Sequence, residues 1–163
     1  MGRERYAVSP EDAAAILRKA LLSLGAEGDA GFEGLLAELL GAATGQTVRI
    51  AKRGYQAGRD IGTGAQAPLI IKAEAKRYDA TTLNERELLG EIEQASRDVP
   101  GLDAWLLATT AVADEGLDQH LVEAARHRGF EAIILDWRGA HASNLAVLCV
   151  THSDRVTDFF VRH

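Results

Sequence analysis

The chain has 163 residues, 47% of them hydrophobic, and a formal net charge of −6, the size of one ordinary domain with material for a core and a charge unlike that of a nucleic-acid binder. No apolar run reaches the roughly 18 residues of a membrane span, and the polar start MGRERYAVSPED is unlike a signal peptide, as in a cytoplasmic protein without a membrane partner. The single cysteine, Cys149 in the apolar run LAVLCV, excludes an intramolecular disulfide and a multi-cysteine zinc site and reads as a buried thiol.

In chain order, the first expected element is a helix near 10–24. Ser9 can cap it, Pro10 suits its first position, and Glu11 and Asp12 favour the positive end of the dipole. A second helix is expected near 31–43, with Phe32, Leu35, Leu36, Leu39 and Leu40 on its buried face. The pattern then alternates in QTVRIAKRG, which predicts a strand with Val48 and Ile50 on one side. A short return strand around Arg59–Ile61 lies between glycines. PLIIKAEAKRY reads as the third strand. Thr82 and Glu85 have capping-box spacing, and a helix to about Arg97 should follow. AWLLATTAV predicts a strand buried on both faces. DEGLDQHLVEAARHRG predicts a helix stopped at Gly129, EAIILDW a fifth strand, and SNLAVLCV and SDRVTDFFV two last helices, the second capped by Ser153 or Asp154. This order predicts an α/β fold with a central mixed β-sheet of about five strands flanked by helices. Residues 1–163 read as one domain, with room for it to be the N-terminal part of a longer protein.

Charge is unevenly distributed. Residues 47–77 hold seven Lys/Arg and two acids, a net of +5, while the remaining 11 basic and 22 acidic residues leave −11. A basic segment in an acidic body suits a phosphate-facing surface, with Arg49, Lys52, Arg53, Arg59 and Arg77 as its rim. A solvated hairpin would look the same.

The chemistry concentrates in Glu74-Ala75-Lys76. Local propensity favours a helix there, but a strand would place Glu74 and Lys76 on one face and Ile71, Ala73 and Ala75 on the other. Asp60, on the preceding strand, would add a second carboxylate. Two carboxylates beside a phosphate suffice for Mg²⁺ or Mn²⁺, hard cations that take oxygen ligands and keep several waters. A lysine two residues from a ligand can orient water or stabilise developing charge.

Asp60, thirteen residues, then Glu74-Ala75-Lys76 resembles the D…(D/E)-x-K core of the PD-(D/E)XK nuclease superfamily, with Arg59-Asp60 where the family has Pro-Asp. GFEGLLAELL resembles the N-terminal helix of Mrr-like members. The likeness covers about residues 31–97. It implies a restriction-endonuclease-like fold and a Mg²⁺- or Mn²⁺-dependent deoxyribonuclease, endonucleolytic in action. Asp60, Glu74 and Glu33 would serve the metal, Lys76 the chemistry, and Lys52, Arg53, Arg59 and Arg77 the DNA. It further implies an effector in bacterial anti-phage defence, joined to a sensor or NTPase module and acting as a homodimer or higher oligomer. Helical geometry separately favours Glu33 over Glu38. At about 100° per residue, Glu33 falls at the margin of the apolar stripe and Glu38 well outside it. Gln94 points away from its own helix's stripe, and Tyr78 shares the Lys76 face; both are candidate contacts. The alternative is a non-catalytic α/β domain that binds nucleic acid or mediates assembly. A Rossmann-like nucleotide site lacks its phosphate loop, since neither GxGxxG nor a Walker sequence is present. The five histidines have no zinc-ligand spacing.

Overall fold

The computed structural model describes residues 9–46, 69–78, 82–138 and 143–163. They form six helices and three strands: α1 (Pro10–Ser23), α2 (Phe32–Thr44), β1 (Ile71–Lys76), α3 (Glu85–Asp98), β2 (Ala104–Thr109), α4 (Glu115–Arg126), β3 (Glu131–Leu135), α5 (Asn144–Thr151) and α6 (Ser153–Arg162). The strands make one parallel sheet in the order β1-β2-β3, with Ala73 opposite Leu106 and Leu106 opposite Ile133. The chain is therefore mixed α/β, and its described sheet has three strands rather than the five expected. The strands expected around Val48–Ile50 and Arg59–Ile61 lie outside the described residues.

Residues 71–76 form a strand despite the helix-forming sequence KAEAK. Packing overrides propensity here. Every residue of β2 is buried, and β1 pairs with it along its whole length, so a helix at β1 would leave β2 one ladder short. Period two then divides β1. Ile71, Ala73 and Ala75 join the core built with Leu21, Phe32, Leu35, Leu36, Leu39, Leu106, Leu145 and Phe159. Trp105 and Leu107, on the other side of β2, pack with Leu88, Ile92, Leu117, Leu121 and Phe130. Helices α1, α2, α5 and α6 thus supply one layer, and α3 and α4 the other. Each fully buried large side chain contributes about 1.5–3 kcal/mol.

Local signals account for most boundaries. Ser9 Oγ accepts from Asp12 N–H at 3.1 Å, and Pro10 opens α1. Gly129, at φ +87°, ends the α4 turn as the stop signal predicts. Two expected caps are corrected. Asn84, not Thr82, caps α3 by accepting from Glu87 N–H at 3.2 Å, and Glu85 turns away to His120 Nδ1 at 2.6 Å. Neither Ser153 nor Asp154 caps α6; His152 occupies that position without a side-chain cap. The chain bends only briefly between α5 and α6, and His152 N–H still bonds Leu148 C=O. Cys149 is buried, and burial pushes its thiol up to about 12. Among the described residues, no helix is long and apolar enough to cross a membrane.

Candidate functional site

The non-core face of β1 carries Lys72, Glu74 and Lys76 in a row. Lys72 Nζ stands 3.7 Å from Glu74 Oε1. Lys76 Nζ reaches across to α3 and donates to Glu87 Oε1 at 2.7 Å and Glu91 Oε1 at 2.6 Å. Glu87 and Glu91 are one helical turn apart, so both present their carboxylates to one spot. The end of the strand is fastened to β2. Thr110 Oγ1 accepts from Tyr78 N–H and donates to Tyr78 C=O, both at 3.0 Å. Arg18 Nε in turn donates to Thr110 C=O at 2.9 Å.

Electrostatics single out Glu74. Burial first, then the hydrogen bond and negative charge of Glu91, push its carboxyl from the ordinary glutamate range up to about 7. Lys72 and Lys76 pull the other way and do not prevail. Lys76 behaves oppositely. Burial opposes its charge, but the bonds to Glu87 and Glu91 outweigh it and raise its pKa above the ordinary lysine range. A half-buried carboxyl titrating near neutrality beside a firmly charged lysine is the kind of pair found at reaction centres, and structural ion-pair networks also produce it.

The other sequence candidates are placed as follows. Asp60, Lys52, Arg53 and Arg59, with Arg49, lie outside the described residues. Glu33 opens α2, in the layer on the other side of the sheet from α3. Its Oε2 accepts from Gly28 N–H at 3.0 Å, fastening the turn that leads into the helix. That turn is tight: a Cβ at Gly34 would collide with the Asp29 carbonyl. Arg77, one residue beyond Lys76, points to the α1 layer as period two requires, and its Nη1 donates to Leu22 C=O at 3.0 Å. Among the described residues its Nε is buried without a partner. The geometry thus gathers Glu74 and Lys76 and gives Glu33 and Arg77 other neighbours. Gln94 is exposed and bonds Asp98 at 2.7 Å on its own helix.

Sequence reasoning missed Glu87, Glu91 and Lys72. A signal existed. A short crossover from β1 into a helix returns that helix onto the strand's own sheet. Glu87 and Glu91 each precede a stripe residue, Leu88 and Ile92, so they flank the face that packs there.

Among the described residues, no group of three or more His, Cys, Asp or Glu is arranged to hold a metal ion. The donors present nevertheless suit a hard cation in kind: the Glu74 and Glu91 carboxyls lie together, and burial and Glu91 keep Glu74 from ionising readily even with Lys72 and Lys76 nearby. A hollow of about 400 Å³ between α1 and Trp137 includes neither Glu74 nor Lys76. A second, about 160 Å³, lies at the end of β3 around Asp118, Asp136 and Arg138. Asp136 is tied up there, accepting from Ala113 N–H at 2.8 Å and Arg138 Nε at 3.3 Å. The side-chain chemistry, rather than the volume of a cavity, marks β1 as the candidate site. The chain matches no protein-family model and no curated protein.

Proposed function

We propose that the chain is a metal-dependent nuclease domain that hydrolyses phosphodiester bonds of DNA, its β1 being the strand of a restriction-endonuclease-like sheet that carries the catalytic acid and lysine. One observation carries this reading: Glu74 and Lys76 stand on the same face of a β-strand, against local helix propensity, with the Glu74 carboxyl half-buried and titrating at about 7. A merely decorative acid at a strand edge would be solvated and ordinary.

Glu74 and Asp60 would hold Mg²⁺ or Mn²⁺ by carboxylate oxygens. When bound, such a cation lowers the pKa of a coordinated water and offsets charge growing on a phosphate oxygen. Lys76 supplies a compact positive charge two residues from Glu74, where it can orient the attacking water or stabilise the phosphorane oxygens. The desolvated setting strengthens both effects. Lys52, Arg53 and Arg59 would contact phosphates and make binding salt-dependent. Glu33 stays with the turn it fastens unless its carboxylate leaves Gly28. As an effector in anti-phage defence, the domain would be fused to a sensor or NTPase module and cut duplexes as a homodimer.

The decisive experiment is incubation with supercoiled plasmid in Mg²⁺, in Mn²⁺ and in EDTA, for wild type and Lys76→Ala. Cleavage should need the cation. Lys76→Ala should bind DNA normally and cut roughly a hundredfold more slowly, the scale of losing one preorganised charge-stabilising group. Intact DNA in every wild-type lane would sink the proposal.

A second reading has its own support. Lys76 is already neutralised by Glu87 and Glu91, as in an ion-pair network whose task is to fasten α3 to β1. A non-catalytic α/β nucleic-acid-binding or assembly domain would look like this, and would leave the plasmid intact.

A further inference from the structure

We infer that Glu91 is a positioning residue, whose carboxylate holds the Lys76 ammonium beside Glu74. The inference deepens the nuclease reading and rests on it for its catalytic meaning. Successive same-face residues of a strand are about 6.6 Å apart along the chain, and a lysine has four rotatable bonds over which to wander. A lysine side chain carries about 2 kcal/mol of rotamer entropy. Nothing within β1 itself fixes where the Lys76 ammonium stands, so the fixing must come from outside the strand.

It comes from α3. Two carboxylates one turn apart bond the same Nζ at 2.7 and 2.6 Å. They are not equivalent. The Glu87 side chain is 41% exposed and the Glu91 side chain 21%. Glu91 also neighbours and hydrogen-bonds Glu74. Glu91 therefore touches both members of the pair and sets their separation. Glu87 is the outer, wetter arm and weaker for it. Helix α3 can do this because it is firmly seated: Leu88, Ile92 and Ala95 are buried against β2 and α4, Asn84 caps its start, and Arg128 Nε on the α4 side donates to Glu93 at 2.8 Å.

The test compares Glu91→Ala, Glu91→Gln and Glu87→Ala with wild type in the full chain. The first readout needs no activity. The ammonium protons of a lysine held by two carboxylates exchange slowly enough to give a ¹⁵Nζ–H correlation in NMR, identified as Lys76 by its absence from Lys76→Ala. Glu91→Ala should lose that signal, Glu91→Gln should keep it because the amide oxygen still accepts, and Glu87→Ala should weaken it only. The second readout is Mn²⁺-dependent plasmid cleavage. Glu91→Ala should lower kcat about tenfold, the lower end of what an outer partner of a catalytic group costs, with KM for DNA unchanged; Glu91→Gln should recover most of the loss. A persisting signal in Glu91→Ala would overturn the inference, and so would a loss confined to KM. If wild type cuts no nucleic acid, the nuclease reading fails by itself, and the NMR comparison still decides whether Glu91 holds Lys76.

Discussion

The two faces of β1 differ more than those of its neighbour. On β2 both faces are apolar, Leu106 and Ala108 on one and Trp105 and Leu107 on the other. On β1 one face is Ile71, Ala73 and Ala75, and the other is Lys72, Glu74 and Lys76. A fold needs only the first kind of face. Burying charges costs several kcal/mol per ion before pairing offsets it, so a charged face against a helix is retained for specificity or for chemistry. The apolar face should then govern stability, and the charged face should be expendable for folding but not for function.

The largest effect expected from that contrast lies on the apolar side. Leu106→Ala should cost 2–5 kcal/mol, roughly, because the side chain is buried between two layers that cannot collapse into the hole. Denaturant unfolding measures it. Replacing the whole network together, Lys72→Met, Glu74→Leu, Lys76→Met, Glu87→Gln and Glu91→Leu, should leave stability unchanged or raise it by about 1–4 kcal/mol, as when buried ion pairs are replaced by apolar side chains of similar volume. Cleavage should vanish with it. A combined variant that fails to fold would mean that the charged face is structural after all.

The next effect is a pH dependence. Glu74 titrates at about 7 in the folded chain against an ordinary 4.5. The folded state therefore binds the proton more tightly than the unfolded state does. Its contribution to stability is complete below the ordinary value and is lost as pH rises through about 7, with a slope of up to about 1.4 kcal/mol per pH unit between them. Glu74→Gln should flatten that slope. A cation favours the ionised carboxylate, so Mg²⁺ or Mn²⁺ should bind more tightly as pH rises through the same window. Denaturant midpoints at pH 5, 6, 7 and 8 for both proteins decide this; identical curves would mean that Glu74 is ordinary.

How much of this was legible beforehand depends on the range of each signal. The strands at 71–76, 104–109 and 131–135 and all six helices follow from patterns within one segment: alternation, apolar stripes, and stops such as Gly129. Even the strand at KAEAK could be read, because the apolar run before it and the helix start after it outweighed its own propensities. Glu74 and Lys76 on one face followed from period two alone. Glu91 did not, because its role exists only once α3 lies across β1, eleven to fifteen residues on from Lys76. Glu33 shows the reverse difficulty. Its angle on the helix was read correctly as marginal to the stripe, but angle cannot reveal that a backbone N–H at Gly28 is waiting for it.

The smallest expected effect tests how α3 is aimed at the charged face. The sequence spacing points to Thr82 with Glu85 as the cap, and the structure places Asn84 there instead. Asn84 takes the position because its side-chain oxygen meets Glu87 N–H at 3.2 Å, and Glu85 is drawn off by His120. Capping is worth about 1 kcal/mol, so Asn84→Ala should cost that much, while Thr82→Ala should cost almost nothing. The cap matters beyond its energy, since Glu87 is the third residue of the helix and its backbone is the group being held. Fraying the first turn should loosen Glu87 from Lys76 before it disturbs Glu91, a full turn deeper beside buried Ile92. Asn84→Ala should therefore weaken the Lys76 ammonium signal as Glu87→Ala does and leave cleavage near wild type. If it instead abolishes the signal, the ammonium is held by the first turn of α3, and the deeper carboxylate is not what fixes it.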